Sequence, residues 1–482
     1  MNRLRLGFGL AAFALAGCTF GPDYARPTLD TPEAYRWQTA DAEPGSFGDL
    51  GWWQVYADPT LQELIETAAA QNLDVRIAVA RIEQAEATLG SSRLAQLPQI
   101  SASAGETRTR ASQRVSSFSA GERTVDTVQL GASWEIDLWG RLRRATEAGR
   151  ADLLAARYAQ QGVVVTLVGD VATAYFNLQT LDEQLAITRR TVATREKFVE
   201  LTHARHDSGV VSGLDVATAE AQLATAQANI PDLERQIAQG EDGLSILLGG
   251  NPGSIARDPS ALDLPAPVPA TGLPSALVDR RPDLRQAEAA LIAANARVGV
   301  AKAALFPTLS LTGAVGSSSS ALDGLFTGPA EIFSIGGNLL LPLLDAQRNL
   351  FQVDLADARK REAILQYRKV LLGAFRDVSD ALIARQKNAE FEQAQAAQVT
   401  ALRRADEIAL ARYRIGFSSY FDVINAERDL FGAELALSAA KRNTRIASVQ
   451  LYRALGGGWQ ADSRNKVKSP SPGRSAETRI NP

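Results

Sequence analysis

The sequence predicts a mixed α and β fold, internally duplicated, in which each half supplies two β-strands and a long α-helical hairpin. Three observations predict it: the chain matches itself at a nearly constant offset, it holds two very long proline-free stretches of helical composition, and alternating apolar and polar residues precede each of them. A sequence that repeats in this way uses one supersecondary unit twice.

The self-match is dense in residues that are costly to repeat by chance. At an offset of 209, Asp74, Arg76, Gly90, Pro98 and Ser101 fall on Asp283, Arg285, Gly299, Pro307 and Ser310. At an offset of 207, Arg205, Gly209, Asp215, Val216 and Glu220 fall on Arg412, Gly416, Asp422, Val423 and Glu427. The same offset carries Leu248-Gly249-Gly250 onto Leu455-Gly456-Gly457. Alanine matches come cheaply in an alanine-rich chain; matches of Gly, Pro, Asp and Arg do not.

Residues 1–17 read as a cleaved secretory signal, with Arg3 and Arg5 as a basic start, Leu6 to Leu15 as a short apolar core, and small residues before the cut. Leu15-Ala16-Gly17-Cys18 resembles a bacterial lipobox, which implies that Cys18, the single cysteine of the chain, is acylated and becomes the mature N-terminus. Each buried acyl methylene contributes about 0.8 kcal/mol, so several chains hold firmly. Thr19 follows instead of Asp, so the inner-membrane retention signal of such lipoproteins is absent and the outer membrane is expected. Residues 18–60 are a lipid-anchored strut, with Trp52-Trp53 packing inside it.

The first repeat, 61–250, opens with an alanine-rich helix stopped by Pro98. A β-hairpin over 99–138 follows. Ile100, Ala102 and Ala104 alternate with Ser101, Ser103 and Gly105; Val128, Leu130, Ala132, Trp134, Ile136 and Leu138 alternate with Thr127, Gln129, Gly131, Ser133, Glu135 and Asp137. This is the period of a strand with one apolar and one wet face. Residues 141–207 form one long helix and 213–248 a second. At 1.5 Å per residue about 65 residues reach about 100 Å, a length that belongs to coiled coils and extended bundles. A proline-rich connector occupies 251–274. The second repeat, 275–457, repeats the order: a helix, a β-hairpin over 308–341, a long helix over 346–414 and a helix over 420–456. The strand near 333–341 alternates less clearly. Residues 458–482 are a polar tail expected to be disordered.

Composition removes several function classes. Lys and Arg number 51 against 54 Asp and Glu, a formal charge of −3, which argues against a nucleic-acid binder. One Cys, two His and one Met exclude an intramolecular disulfide and leave too few soft ligands for a transition-metal site. No nucleophile elbow, P-loop or metal cluster supports an enzyme, and no cofactor is expected. No window offers the roughly 18 uninterrupted apolar residues of a transmembrane helix, so any membrane span falls to the strands. Four strands cannot close a membrane barrel, since about eight is the smallest known. Open strand edges in lipid cost several kcal/mol per unpaired backbone group, so inserted strands demand an oligomer.

Motifs spread over the mature chain carry a family resemblance. They are Cys18 with Gly21-Pro22-Asp23-Tyr24, Trp52-Trp53 before Asp58-Pro59, Asn72-Leu73-Asp74, and the run Trp134-Glu135-Ile136-Asp137-Leu138-Trp139-Gly140-Arg141. Arg280-Arg281-Pro282-Asp283-Leu284-Arg285, Phe306-Pro307 and Leu455-Gly456-Gly457-Gly458 complete the set. In this order and spacing the chain resembles TolC-like outer-membrane factors, of the NodT-type efflux lipoprotein branch. The resemblance implies a homotrimer in which four transmembrane β-strands per chain close a twelve-stranded β-barrel, continued by a periplasmic α-barrel and belted at its equator by the connector. It implies a passive exit duct that works with a periplasmic adaptor and an inner-membrane transporter of the resistance-nodulation-division type. A duct for type I protein secretion and a lipid-tethered coiled-coil scaffold stand as alternatives.

The resemblance also implies a gate at the tips of the two helical hairpins, where Arg-x3-Gly-x5-Asp-Val occurs twice. Asp422 matches a gate carboxylate of the family, and Asp215 is its counterpart in the first half. Many relatives carry a second Asp one turn further on; here that position is Asn425, with Thr218 in the first half. Read from the residues alone, Asp215 and Asp422 are equally well helix caps. Arg205, Gly209, Arg412 and Gly416 resemble the surface gripped by an adaptor, and both glycines suit a helix C-terminus. His203 and His206 have a spacing that can grip a metal, but with no third ligand they read as solvated helix residues. Trp134 and Trp139 fit either an interfacial aromatic girdle or interior packing.

Overall fold

The computed structural model describes residues 19–28, 31–37, 47–110, 112, 114, 122–257 and 274–459. Cys18 with the signal segment 1–17, connector residues 258–273 and the tail from 460 lie outside the described residues. The fold is the mixed α and β one that the sequence predicts. After a helical turn over Trp52–Val55 come α1 (Pro59–Gln71), α2 (Leu73–Leu94), β1 (Gln99–Arg110), β2 (Glu122–Ile136), α3 (Arg141–Asp207) and α4 (Gly213–Leu247). The second half runs α5 (Pro274–Arg280), α6 (Pro282–Ala303), β3 (Thr308–Ser319), β4 (Glu331–Leu340), α7 (Ala346–Arg414) and α8 (Tyr420–Ala454). Among the described residues no helix is long and apolar enough to cross a membrane.

The strands form one antiparallel sheet in the order β1-β2-β3-β4. The two hairpins of the duplication thus meet through β2 and β3, leaving β1 and β4 as edges. β2 ends at Ile136, short of the alternation that continues to Leu138 in the sequence. The reason is a turn: the Leu138 N–H donates to the Ile136 carbonyl at 2.9 Å, and Asp137 accepts the Arg143 N–H at 2.9 Å as the chain enters α3.

The chain divides into two compact units. The first comprises Met1–Leu29, Val79–Tyr158 and Arg285–Val370 and contains the sheet. Here the stretch after Thr19 is laced along α6. Asn295 donates to the Pro22 carbonyl at 2.8 Å, Arg144 to Asp23 at 2.7 Å, and Tyr24 and Arg26 both reach Glu288, at 2.9 and 2.6 Å. Gly21 and Gly299 let two backbones touch: a Cβ on Gly21 would fall 2.4 Å from the Gly299 Cα. Trp139 stacks on Phe306 with centroids 5.0 Å apart, meets Phe20 edge-on, and donates its indole N–H to the Pro307 carbonyl at 2.7 Å. Of its two readings, interior packing is the one found.

The second unit comprises Asp30–Ala78, Ala159–Leu284 and Leu371–Pro482. Its core holds Leu61, Ile65, Val171, Tyr175, Leu244, Leu371 and Leu451, all essentially buried. Trp52 is buried too and meets Trp53 edge-on at 5.5 Å, the packing role expected of that pair. Asp58 performs two tasks in this core. One oxygen caps α1 by accepting the N–H groups of Thr60 at 2.8 Å and Leu61 at 3.3 Å; the other accepts the buried Tyr175 hydroxyl at 2.5 Å. Arg281 pins the ends of the second repeat together, donating to the Ala454 carbonyl at 3.1 Å and pairing with Asp283 at 2.7 Å and Asp377 at 3.3 Å. Arg257, the last described residue of the connector's first stretch, is held by Asp182 and Glu241, each at 2.6 Å.

Removing the Asp58 carboxylate strips the cap and the hydrogen bond that the buried Tyr175 hydroxyl donates to it. We expect Asp58→Ala to lose about 1.5–2.5 kcal/mol, a cap of roughly 1 kcal/mol plus a net hydrogen bond of roughly 0.5–1.5 kcal/mol. Tyr175→Phe is expected to lose less than half of that. Thermal unfolding of the purified variants checks both.

Candidate functional site: a two-faced sheet and paired helical tips

In an antiparallel sheet, residues directly opposite one another project to the same face. The register stacks Ile136–Leu309–Leu339, Trp134–Leu311–Gly337, Ile100–Ala132–Gly313–Ile335, Ala102–Leu130–Val315–Phe333 and Ala104–Val128–Ser317–Glu331 in rows on one face. The other face carries Glu135–Ser310–Asn338, Gln99–Ser133–Thr312–Gly336, Ser101–Gly131–Ala314–Ser334 and Ser103–Gln129–Gly316–Ile332. One face is therefore aliphatic and aromatic across all four strands, and the other is hydroxyl, amide and glycine. On β4, Ile332 and Leu340 depart from this on the wet face and Glu331 on the apolar one, which is why its alternation is weak in the sequence.

Among the described residues the apolar face stays largely uncovered: Ile335 is 88% exposed and Phe333 83%. Nine residues of β2, Val128 to Ile136, span about 27 Å at about 3.3 Å per residue, comparable with the apolar band of about 25 Å on an outer-membrane barrel. Trp134 lies at the edge of this band, exposed, with its indole N–H held by the Gln96 carbonyl at 2.9 Å. That is the girdle geometry, a ring in the apolar layer and a polar end tied down.

The helical tips are built twice by the same local rules. Gly209 and Gly416 end α3 and α7 with φ of 71° and 80°, a left-handed conformation that glycine adopts without steric cost. The N–H of Val210 returns to the Arg205 carbonyl and that of Phe417 to the Arg412 carbonyl, both at 2.9 Å. The next helices start on Ser-x-x-Asp. Asp215 accepts the Ser212 N–H at 2.9 Å, and Asp422 accepts the Ser419 N–H at 3.2 Å. Both tip carboxylates are thus engaged in capping. Asn425 sits half-buried one turn beyond Asp422, and Thr218 bonds back to the Leu214 carbonyl at 2.7 Å.

The two arginines of the repeated motif occupy unlike places. Arg412 is exposed. Arg205 reaches across to the second hairpin, its guanidinium carbon 4.4 Å from the centre of the Tyr413 ring and its N–H groups on the Tyr413 and Arg414 carbonyls at 3.4 and 3.3 Å. It therefore satisfies carbonyls left open at the end of α7. Beneath it Phe198, Tyr413 and Tyr420 form a mutual aromatic cluster with centroid separations of 5.4–5.8 Å, packed on Val423 and Ile424. Motif reading missed this cluster. The signal was present as the helical stripe Tyr420, Val423, Ile424, but its partner Phe198 lies on the other hairpin. His203 pairs with Glu220 at 3.0 Å and His206 with the Val211 carbonyl at 3.1 Å, so the two rings serve separate local contacts.

A sheet with an uncovered apolar face, a polar reverse and two open edges, joined to very long helical hairpins, defines an outer-membrane channel protomer. Residues 64–250 and 273–457 match the outer membrane efflux protein family, and the chain belongs to that family. It is 35% identical over 98% of its length to the whole of the probable efflux pump outer membrane protein TtgC of Pseudomonas putida. Its fold matches that of the outer-membrane channel OprN with a TM-score of 0.86 at 30% identity, covering 92% of this chain and 100% of that one. The open state of the Neisseria gonorrhoeae MtrE outer membrane channel matches with a TM-score of 0.83 at 32% identity, over 92% of this chain and 99% of that one. The protein is an outer-membrane efflux duct.

Neighbouring residues of β4 should respond oppositely to a charge. Ile335→Arg places a guanidinium in the apolar layer, at a cost of about 2–4 kcal/mol near the bilayer midplane. We expect it to abolish recovery of folded protein from the outer-membrane fraction. Ser334→Arg, on the wet face, should fold normally and alter conductance only. Heat-modifiable gel mobility of the membrane fraction reads out the difference.

Proposed function

We propose that the protein is the passive exit duct of a tripartite efflux pump, working as a homotrimer, anchored through acyl chains on Cys18 and gated at its helical tips. One observation carries this reading: the register gives the sheet an apolar and a polar face and leaves β1 and β4 unpaired. Lipid cannot solvate those edges. Pairing β4 of one copy with β1 of the next satisfies both, and three copies give twelve strands around a lumen lined by the polar rows. The names of the relatives, efflux pump outer membrane proteins, favour small-molecule efflux over protein secretion. A periplasmic adaptor and an inner-membrane transporter, of the resistance-nodulation-division type, supply recognition and energy; the duct performs no chemistry of its own. The tips are the natural gate because each is a short glycine turn between capped helices, with Arg205 and the aromatic cluster joining the two hairpins.

The purified protein should run as a trimer in light scattering and conduct ions in a planar bilayer; a monomer without conductance would overturn the reading. Cys18→Ser should lose incorporation of labelled palmitate while the precursor keeps its signal segment. Asp422→Asn keeps a side-chain acceptor for the Ser419 N–H but removes the charge, and it separates the two roles of this residue. We expect it to lower cation selectivity with little effect on thermal stability. An unchanged reversal potential in a salt gradient would leave Asp422 as a cap alone.

A further inference from the structure

We propose that Glu427 and Asp406 form a proton-responsive joint in the second helical hairpin, packed while the pair holds a proton and loosened when both carboxylates are ionised. This rests on the reading of the tips as the moving part of the duct. The placement of the two residues carries it. Near the tip α8 buries Tyr420, Val423 and Ile424, and the next position on that stripe is Glu427. On α7 the facing stripe runs from Tyr413 through Leu410 and Ala409 to Asp406. Both carboxylates line one small cavity of about 170 Å³ beside the aromatic cluster. A half-buried carboxyl group on this stripe breaks the apolar pattern of its own helix, the kind of local conflict that marks functional sites.

The surrounding cations are committed elsewhere. From α3, Arg190 donates to Glu434 at 2.6 Å, and from α7, Arg403 donates to the same carboxylate at 2.8 Å. Arg195, also on α3, gives one N–H to the Gln222 carbonyl of α4 at 2.6 Å and stands 5.6 Å from the Phe431 ring. It attracts Glu427 without pairing with it, and its Nε is buried with no hydrogen-bond partner. The Asp406 Oδ1 is buried with no partner as well. Glu407 and Glu434 add negative charge around Asp406, and Tyr420 on α8 completes the ionisable neighbours.

The repeat sharpens the contrast. Glu220 is the counterpart of Glu427 at the 207-residue offset, and it lies on the surface against His203. The second copy is half-buried. Burial first, then the charge of Asp406, pushes the Glu427 carboxyl up to about 7 from its ordinary 4.5. Burial raises Asp406 in the same direction. Between those two values the packed joint binds more protons than the loosened one. The packed form is thus favoured on the acid side and loses stability as pH rises to about 7, where the penalty is complete.

Hydrogen–deuterium exchange of the full-length trimer, corrected for the intrinsic pH dependence of amide exchange, tests this over residues 399–434. We expect wild-type exchange there to quicken about tenfold or more between about pH 5.5 and pH 8, the factor that a shift of one pKa unit or more supplies. Glu427→Gln and Asp406→Asn should each stay near the slow, acid-side rate throughout. Wild-type exchange that does not change with pH, or variants that both follow the wild-type profile, would overturn the proposal. Conductance recorded on the same preparations keeps the two ideas apart: a silent channel refutes the duct and leaves the exchange result to decide the joint.

Discussion

The unpaired backbone of β1 and β4 is the constraint on which the rest depends. In water, an open strand edge is solvated and merely a risk for aggregation. In lipid, each unpaired N–H or C=O costs several kcal/mol, and a long edge exposes many of them. A chain with four antiparallel strands and an apolar outer face therefore cannot be a finished membrane protein by itself. Its edges must be completed by something with the same register and the same facial pattern, and a further copy of the chain meets both requirements. The proposed oligomer thus rests on hydrogen-bond accounting before any particular interface is considered.

Duplication solved the strand count economically but did not keep its two products alike. The local devices survive in both halves: a proline before the strands, a glycine in the left-handed region at each tip, and Ser-x-x-Asp at each returning helix. Residues whose role depends on a partner from the other half have diverged. Gly299 is required where the chain after Thr19 crosses α6, while a Cβ on its counterpart Gly90 would meet nothing within 4 Å in the single chain. Arg205 reaches the end of α7, whereas Arg412 remains exposed. Glu220 meets His203 on the surface while Glu427 is half-buried beside the aromatic stripe.

This division also explains what was legible in the sequence. The period-2 runs in β1, β2 and β3 identified the strands and their faces, because each residue there is sorted by its own polarity against lipid or water. The helices followed from length and the absence of proline, and the tips from glycine and Ser-x-x-Asp, all within a few residues. β4 was harder, since Ile332 and Leu340 sit on the wet face and Gly336 and Gly337 give no polarity signal. The end of β2 was misread because Leu138 continues the alternation while Asp137 is taken by the start of α3. Arg205 was legible as a tip residue, but its partners and the place of Phe198 in the aromatic cluster were not, because both contact residues more than 200 positions away. No periodicity within one segment encodes which copy of a repeated residue will find such a partner.

The two ends of this hairpin grammar answer to opposite physical demands. The sheet must never open, and it is held by continuous ladders whose breakage in lipid is prohibitive. A gate must open at a cost that a docking partner can supply, so it belongs to the low-stability end of the structure. The filling of the helical stripes reflects the difference. Val171, Leu178, Leu244, Leu371 and Leu451 fill the core of the second unit with aliphatic groups. Toward the tips the stripes first admit Arg195, Asp406 and Glu427 and then pass to Phe198, Tyr413 and Tyr420. Aliphatic packing has no switchable term. Carboxylates without a paired cation retain one, and they stand beside the tips where the proposed gate has the two hairpins part.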